Sequence, residues 1–220
     1  MCWLKGVRGT ALTGRFGRQG LRGHSLAAAW GEAEWNGGRP PSYFPRLPKD
    51  FCRFMSITIR PATALDYDDV ARITRQAYLA GGHLREEDEY LEILGDVAHR
   101  AEHAIVWVAE VDGRVAGSVA LTLEGQEYSD IARPGELEFR MLAVDPQLQR
   151  GGVGRAMVKA ILDYAQTLPG IHSVSLTSVD NMRGAHRLYE SLGFVRVPER
   201  DWKVPDEDIA LLVFVKPLAR

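Results

Sequence analysis

Residues Gln149 to Gly154 read QRGGVG and place three glycines just before a predicted helix. Glycine costs backbone entropy, so a cluster of glycines at a helix start requires a reason. One reason is a turn that brings bare backbone N–H groups against a large anion. Another is a tight strand-to-helix turn that holds no ligand. The six residues by themselves leave both interpretations open.

The flanks place this loop between a predicted strand, Leu137–Val144, and a helix that follows the glycines. A strand–glycine loop–helix unit aims several free N–H groups and a helix dipole at one point, which suits a pyrophosphate. No Gly-Lys-Ser/Thr follows, and the glycine spacing is not that of GxGxxG. The pattern is therefore neither the phosphate-binding loop of a nucleoside triphosphatase nor the glycine motif of a dinucleotide-binding fold.

The composition is that of a globular protein, with 45% hydrophobic and 25% charged residues in 220. The net charge of −2 argues against a general nucleic-acid binder, and no apolar run is long enough to span a bilayer. The two cysteines, Cys2 and Cys52, form no CxxC or Cys/His cluster. We therefore expect no disulfide framework, no metal site and a cytoplasmic location.

Charge divides the chain near Met55. Residues 1–54 hold nine basic and three acidic side chains, for +6, and the remaining residues hold 18 and 26, for −8. The first segment is rich in Gly, Arg and Pro and lacks periodicity, so we predict an N-terminal extension, 1–54, and one domain, 55–220. A transit peptide, a secretory signal, a basic tail for an acidic partner, and a non-native extension from an upstream start codon are the competing interpretations.

Hydrophobic periodicity predicts seven strands and four helices in residues 55–220. Hairpins, including one with an Asp112-Gly113 turn, alternate with strand–helix–strand crossovers, which implies an α/β protein with a mixed sheet flanked by helices. The predicted strands are Ser56–Arg60, Ala104–Val111, Arg114–Leu123, Leu137–Val144, Ile171–Thr177, Phe194–Val197 and Ile209–Lys216. The predicted helices are Asp66–Leu79, Glu86–His99, Val153–Gln166 and Asn181–Leu192.

Two motifs resemble one known family. Gln149-x-x-Gly152-x-Gly154 matches the Q/R-x-x-G-x-G/A signature of the GNAT superfamily of acetyltransferases, within LAVDPQLQRGGVGRAMV. NMRGAHRLYESLGF, from Asn181 to Phe194, is similar to the next block of that family, and ITIRPAT is similar to its usual opening. The resemblance covers nearly all of residues 56–217, in order, and leaves residues 1–54 without a counterpart.

The resemblance implies a twisted, mostly antiparallel sheet of about seven strands, splayed at a coenzyme A site, and acetyl-CoA as the acetyl donor. In that family, the strand that corresponds to Leu137–Val144 bulges away from its parallel neighbour. Its free backbone groups then pair with the pantetheine arm of coenzyme A. Asn181 would then hold the far side of that arm, or cap the helix that follows it. The implied coenzyme A residues are Leu142, Ala143, Val144, Gln149, Arg150, Gly151, Gly152, Val153, Gly154, Arg155 and Asn181.

Acetyl transfer to an amine needs a base for the ammonium proton and an acid for the departing thiolate. By resemblance, Tyr189 is the acid, and the alternative is a tyrosine packed in the core. Glu138 is the base, acting through water as in lysine-modifying relatives, and the alternative is an edge carboxylate paired with Arg140. Weaker candidates for the base are Glu136, Asp180, His83 and His103.

We therefore expect an acetyl-CoA-dependent N-acetyltransferase for a primary amine, either a small molecule or a protein or peptide amine. The alternatives are a transferase for another acyl-CoA and a regulatory domain that binds coenzyme A without turnover. The segments expected to shape the acceptor site are acidic on balance, which suits a cationic amine but also an ordinary solvated surface. The assembly is left open, with a homodimer among the options. The segments expected to shape the acceptor site are Leu79–Arg100, Glu124–Pro134 and Pro198–Asp208.

Overall fold

The computed structural model describes residues 56–82, 84–204 and 209–219, and the predicted extension 1–54 lies outside them. Eight strands and five α-helices occur in this part of the chain. In chain order they are β1 (Ile57–Pro61), α1 (Tyr67–Ala80), α2 (Tyr90–Gly95), α3 (Val97–His103), β2 (Ile105–Val111), β3 (Arg114–Leu123), β4 (Glu136–Val144), α4 (Val153–Thr167), β5 (Ser173–Val179), α5 (Arg183–Ser191), β6 (Val195–Arg196), β7 (Trp202–Lys203) and β8 (Ala210–Pro217).

All of these strands form one sheet, in the order β1-β2-β3-β4-β5-β8-β6, with β7 also paired to β8. Only β4 and β5 run parallel, and the remaining pairs are antiparallel. The predicted mixed, mostly antiparallel sheet is thereby confirmed. Its additional strand, β7, has two residues, which is too short to produce a periodic pattern.

The helix predicted over Glu86–His99 is divided into α2 and α3 at Asp96. The Asp96 side chain accepts a hydrogen bond from the backbone N–H of His99 and so caps α3. The buried Arg100 side chain donates to the carbonyl oxygen of Leu94 at 2.6 Å, near the end of α2. These contacts hold two short helices at an angle that a single helix could not adopt.

Side chains that alternate along the strands build a core on each face of the sheet. On β2, Val106 and Val108 pack with Val70 of α1 on one face. On the other face, Trp107 and Ala109 contact the core that α4 covers with its apolar stripe. Alternation with a period of two residues explains why one strand serves both cores. The described residues contain no helix long and apolar enough to cross a membrane.

Local contacts fix a predicted turn and the start of a helix. Asp112 and Gly113 both have positive φ, at 50° and 78°, as the type I′ turn of a two-residue hairpin requires. Before α1, the Asp66 carboxylate accepts hydrogen bonds from both the N–H and the hydroxyl of Thr63. Arg60 donates two more at 2.8 and 2.9 Å. Asp66 therefore fixes the start of α1 against β1.

Candidate active site

The glycine loop leaves a group of backbone N–H groups free at the start of α4. Arg150 and Gly152 adopt positive φ angles of 67° and 87°, which turns the chain sharply before the helix begins at Val153. The N–H groups of residues 152–155 donate to no acceptor within the described part of the chain. They converge at the positive end of the dipole of a 15-residue helix, which is the arrangement that binds phosphate.

Gly152 and Gly154 have different surroundings. A Cβ at Gly152 would meet no atom within 4 Å, so this glycine faces open space and its backbone is accessible to a ligand. A Cβ at Gly154 would lie 3.5 Å from Leu188 and 3.6 Å from Val144, which are ordinary contacts. Gly154 therefore faces the gap between the end of β4 and α5, whereas we had expected it to face a phosphate.

The strands β4 and β5 separate just before this loop. Their parallel pairing covers only residues 136–138 of β4 against residues 173–175 of β5. From Phe139 onward, the edge of β4 that faces β5 has no strand partner among the described residues. Leu142, Ala143 and Val144 thus lie where an extended chain could pair with β4, as in the addition of a strand to a sheet edge.

A β-bulge produces part of this separation. Met141 has a φ of 52°, and Met141 and Leu142 together lie opposite Val119 alone in the register of β3 and β4. A bulge bends its strand and increases the local twist, so it turns the end of β4 away from β5. The sequence contains no glycine at this position, and periodicity could not have located the bulge.

A cavity opens where the two strands diverge. Its walls come from α1, the segment before α2, β4, β5, the start of α5 and the residues around β8. The polar groups among its lining residues are the phenols of Tyr78 and Tyr90, the guanidinium of Arg140 and the hydroxyls of Thr177 and Ser178. Sequence analysis missed this set, because only the fold brings α1 and α2 to the opening between β4 and β5.

Tyr189 lies on α5 with its ring in the core. The ring packs against Phe139, Phe194 and Phe214, with centroid separations of 5.8 to 6.0 Å. Burial raises the pKa of the Tyr189 phenol, and the nearby Tyr78 phenol raises it further. Its hydroxyl has no hydrogen bond to a described residue, yet it is not among the atoms closed off from solvent. The ring of Tyr189 is therefore packed in the core, and its role as the acid stays a prediction.

Glu138 is fully buried in the centre of the sheet, so it is not an edge carboxylate. Its Oε2 accepts hydrogen bonds at 3.0 to 3.1 Å from the Ser129 hydroxyl and from the N–H groups of residues 130, 131 and 132. Its Oε1 has no hydrogen bond among the described residues and lies 3.8 Å from Nε of Arg140. Burial raises the pKa of this carboxyl above the ordinary value. Glu138 thus anchors the β3–β4 loop through Oε2, and its Oε1 is buried beside Arg140, so the predicted pairing with Arg140 is present.

Arg140 connects the cavity to the β3–β4 loop. Its guanidinium forms an ion pair with the buried Asp130 and donates to the carbonyl oxygen of Tyr128 at 2.7 Å. Arg140 and Glu138 share one face of β4, because they are two residues apart. Phe139, against which Tyr189 packs, points to the other face. The predicted acid and base therefore lie on opposite faces of the sheet, and neither is among the residues that line the cavity.

The remaining predicted coenzyme A residues lie in the glycine loop, on α4 and in the turn before α5. Gln149, Arg150 and Arg155 are exposed, and Arg155 donates to the hydroxyl of Ser191 at 2.8 Å. Asn181 is exposed in the turn before α5, but Met182 rather than Asn181 occupies the cap position of that helix. The alternative role of Asn181 as a helix cap is therefore wrong.

Three of the weaker base candidates, Glu136, Asp180 and His103, lie outside the cavity lining. Glu136 is buried in an ion pair with Arg200 at 2.8 Å, and Asp180 is exposed in a turn. His103 ends α3 and lies 3.2 Å from Glu127. His83 lies outside the described residues.

Comparison with known proteins agrees with this geometry. Residues 67–194 match the model of the acetyltransferase (GNAT) family. Over 100 residues the chain is 34% identical to the N-acetylaspartate synthetase of Danio rerio. That match covers 45% of this chain and 33% of the relative, so the chain matches only a third of that relative's length.

Solved structures with low identity share the fold. The ribosomal-protein-S18-alanine N-acetyltransferase of Escherichia coli aligns with a TM-score of 0.55 at 20% identity, covering 75% of this chain and 96% of that one. The yncA protein of Salmonella typhimurium, solved with its cofactor acetyl-CoA, aligns with a TM-score of 0.53 at 22% identity. It covers 74% of this chain and 95% of the other.

Proposed function

Since the chain belongs to the acetyltransferase (GNAT) family, we propose that it transfers the acetyl group of acetyl-CoA directly to a primary amine. The observation that carries the proposal is the row of four free N–H groups at the start of α4, beside the separated strands β4 and β5. The acetyl-CoA bound to the yncA protein, which shares the fold, supports the same donor.

The loop and the end of β4 hold the donor in this proposal. The N–H groups of residues 152–155 bind the pyrophosphate, with Gln149, Arg150 and Gly151 forming the turn around it. The free edge of β4 at Leu142, Ala143 and Val144 pairs with the pantetheine arm, and the exposed Asn181 side chain binds the arm from the other side. The described residues fit this ligand, because the gap is open and its donors lack protein partners.

Bound acetyl-CoA supplies an activated thioester carbonyl. Glu138 accepts the proton of the attacking ammonium through a water molecule, and its raised pKa makes it a stronger base than an ordinary glutamate. Tyr189 donates its proton to the departing thiolate. Because burial raises the pKa of Tyr189, its hydroxyl stays protonated throughout the neutral range.

The acceptor in this proposal is a small-molecule amine or the amine of a peptide or protein. The proposed location of the enzyme is cytoplasmic. N-acetylaspartate synthetase and the S18-alanine N-acetyltransferase are named for acetylated amino acid residues, so free amino acids and peptide N-termini come first in a substrate screen. Free-thiol release from acetyl-CoA, measured with a panel of such amines, tests the activity. Coenzyme A binding without thiol release with any amine would favour the regulatory domain, and release only from longer acyl-CoAs would favour another acyl group.

Gly152→Asp tests the phosphate site directly, with Gly152→Asn as its control. Both side chains tolerate positive φ better than most and have the same shape, so they differ mainly in charge. We expect Gly152→Asp to bind coenzyme A about tenfold or more weakly than Gly152→Asn, by calorimetry, because a carboxylate repels the pyrophosphate. Equal affinities of the two variants would contradict the assignment of the loop.

A further inference from the structure

Three polar side chains, which sequence analysis gave no reason to group, lie close together outside the cavity lining. His99 and His103 lie one turn apart on α3, and Glu127 comes from the β3–β4 loop. Nε2 of His99 is 3.5 Å from one oxygen of Glu127, and Nδ1 of His103 is 3.2 Å from the other. Each side chain is about 40% exposed, so the cluster can be reached from solvent.

The chemistry of this cluster is that of a metal site. Two imidazole nitrogens and a carboxylate oxygen, all within 4.8 Å of one another, form a set that Zn²⁺ commonly accepts. Metal–ligand bonds of about 2.0–2.1 Å in a tetrahedron place ligand atoms roughly 3.3 Å apart. The two measured nitrogen–oxygen separations lie close to that distance.

One of the two histidines is also oriented by a buried group. Nδ1 of His99 forms a 2.9 Å hydrogen bond with the hydroxyl of Tyr128, which is only 6% exposed. This contact directs Nε2, the other nitrogen, toward Glu127. In metal sites, a hydrogen bond to the nitrogen that does not bind the metal commonly fixes the ring in this way.

We propose that His99, His103 and Glu127 form a binding site for a divalent transition-metal ion of the Zn²⁺ type, with water completing the coordination. The ion joins α3 to the β3–β4 loop, the same loop that surrounds Glu138 with N–H groups and pairs Asp130 with Arg140. The site is thus structural, and it stabilises the loop that supports the cavity. This proposal replaces the expectation of no metal, which rested on the absence of a cysteine or histidine cluster in the linear sequence.

Calorimetry with Zn²⁺ on the chelator-treated full-length chain tests this proposal. We expect His99→Ala/His103→Ala to lose one equivalent of bound Zn²⁺ per chain, and Glu127→Gln to bind that equivalent at least about tenfold more weakly. Glu102→Gln is the matched control, since it removes an exposed carboxylate from the same helix without removing a proposed ligand. Because cysteines and a histidine also occur before residue 56, the difference between variants, rather than total binding, is decisive.

Thermal unfolding gives a second readout. Zn²⁺ should raise the Tm of the unmodified chain and of Glu102→Gln, and have no such effect on His99→Ala/His103→Ala. Tyr128→Phe should weaken Zn²⁺ binding by about tenfold while keeping the same stoichiometry, because it removes the orienting hydrogen bond and leaves the three ligands in place. If the double variant binds as many Zn²⁺ ions, as tightly, as the unmodified chain, the proposal is wrong. Since His99, His103 and Glu127 are exposed, circular dichroism should show that each ligand variant folds.

Discussion

At the scale of single residues, the proposed chemistry depends on two groups that are held in unlike ways. Tyr189 has a ring fixed by three phenylalanines and a hydroxyl without a hydrogen bond to the described residues. Glu138 has one oxygen with four hydrogen bonds and one without any. Packing fixes both groups, but Oε1 of Glu138 is buried beside Arg140, so a base role requires a water molecule to reach it.

Tyr189→Phe should lower kcat by roughly 10–10³-fold and change the KM for acetyl-CoA little, because it removes a proton donor and keeps the packed ring. The Tm should stay near that of the unmodified chain, because no hydrogen bond to a described residue is lost. Tyr164→Phe is the control, since it removes a phenol hydroxyl from another packed helix tyrosine, which contacts Trp107 and has no proposed catalytic role. Full activity of Tyr189→Phe would leave Tyr189 with a packing role alone.

Glu138→Gln should lower kcat/KM by about 10²-fold and change its pH profile. A base acts when deprotonated, and burial raises the pKa of Glu138, so kcat/KM of the unmodified enzyme should rise through a pKa above that of an ordinary glutamate. This acidic limb should be absent from the pH profile of Glu138→Gln. A variant with reduced kcat but the same acidic limb would indicate that Glu138 only anchors the loop.

At the scale of elements, side-chain hydrogen bonds determine where helices begin, and a bulge determines where two strands separate. Asp96 separates α2 from α3, and the bulge at Met141 turns β4 away from β5. Asp66 joins β1 to α1 through Arg60 and Thr63. Hydrogen bonds from Arg60, and then from Thr63, hold the pKa of the Asp66 carboxyl well below its usual range, although burial opposes them.

Asp66→Asn should lower the free energy of unfolding by about 1–2 kcal/mol at pH 7, an amount limited by the partial exposure of Arg60. Because the pKa of Asp66 is lower in the folded state, its contribution is complete above the pKa of the unfolded chain. That contribution is lost as the pH falls below about 4. The difference between the unmodified chain and Asp66→Asn in urea unfolding should therefore shrink on acidification. Asp68→Asn, which removes an exposed acid from the first turn of α1, should show a smaller change.

At the scale of the whole molecule, one sheet carries both the proposed donor site and the proposed metal site. The donor site lies between β4, β5 and the start of α4, and the metal site lies between α3 and the β3–β4 loop. Arg140 and Glu138 lie between them, since both contact the β3–β4 loop. Everything named in these sites comes from residues after Met55.

A chain that begins at Met55 should therefore fold and keep coenzyme A binding and acetyl transfer. Residues 1–54 carry +6 charge and no periodic pattern, which predicts few contacts with the domain. Thermal unfolding and calorimetry on the shortened and full chains measure the effect, and mass spectrometry of the native protein shows whether residues 1–54 are made. A fall in Tm of more than a few degrees on shortening would mean that the extension packs on the domain.

The sequence by itself determined the elements whose causes are local. These features depend on residues that are close in the chain, so they can be predicted from the sequence alone. They are the glycine loop, the Asp112-Gly113 turn, the apolar stripe of α4 and the order of strands and helices. The two family motifs likewise lie in continuous segments, from Leu142 to Val158 and from Asn181 to Phe194. For this reason the mixed sheet and the family were predicted correctly.

Only the tertiary structure decided how distant segments meet. It buried Glu138 within the loop 129–132, brought Tyr78 and Tyr90 to the opening between β4 and β5, and placed Glu127 beside His99. The bulge at Met141 belongs here too, since it arises from the register of β4 against β3. Such contacts join residues far apart in sequence, and their energies depend on burial and on pairing across the sheet. A linear pattern encodes neither of these, because spacing along the chain does not fix distance in the folded protein.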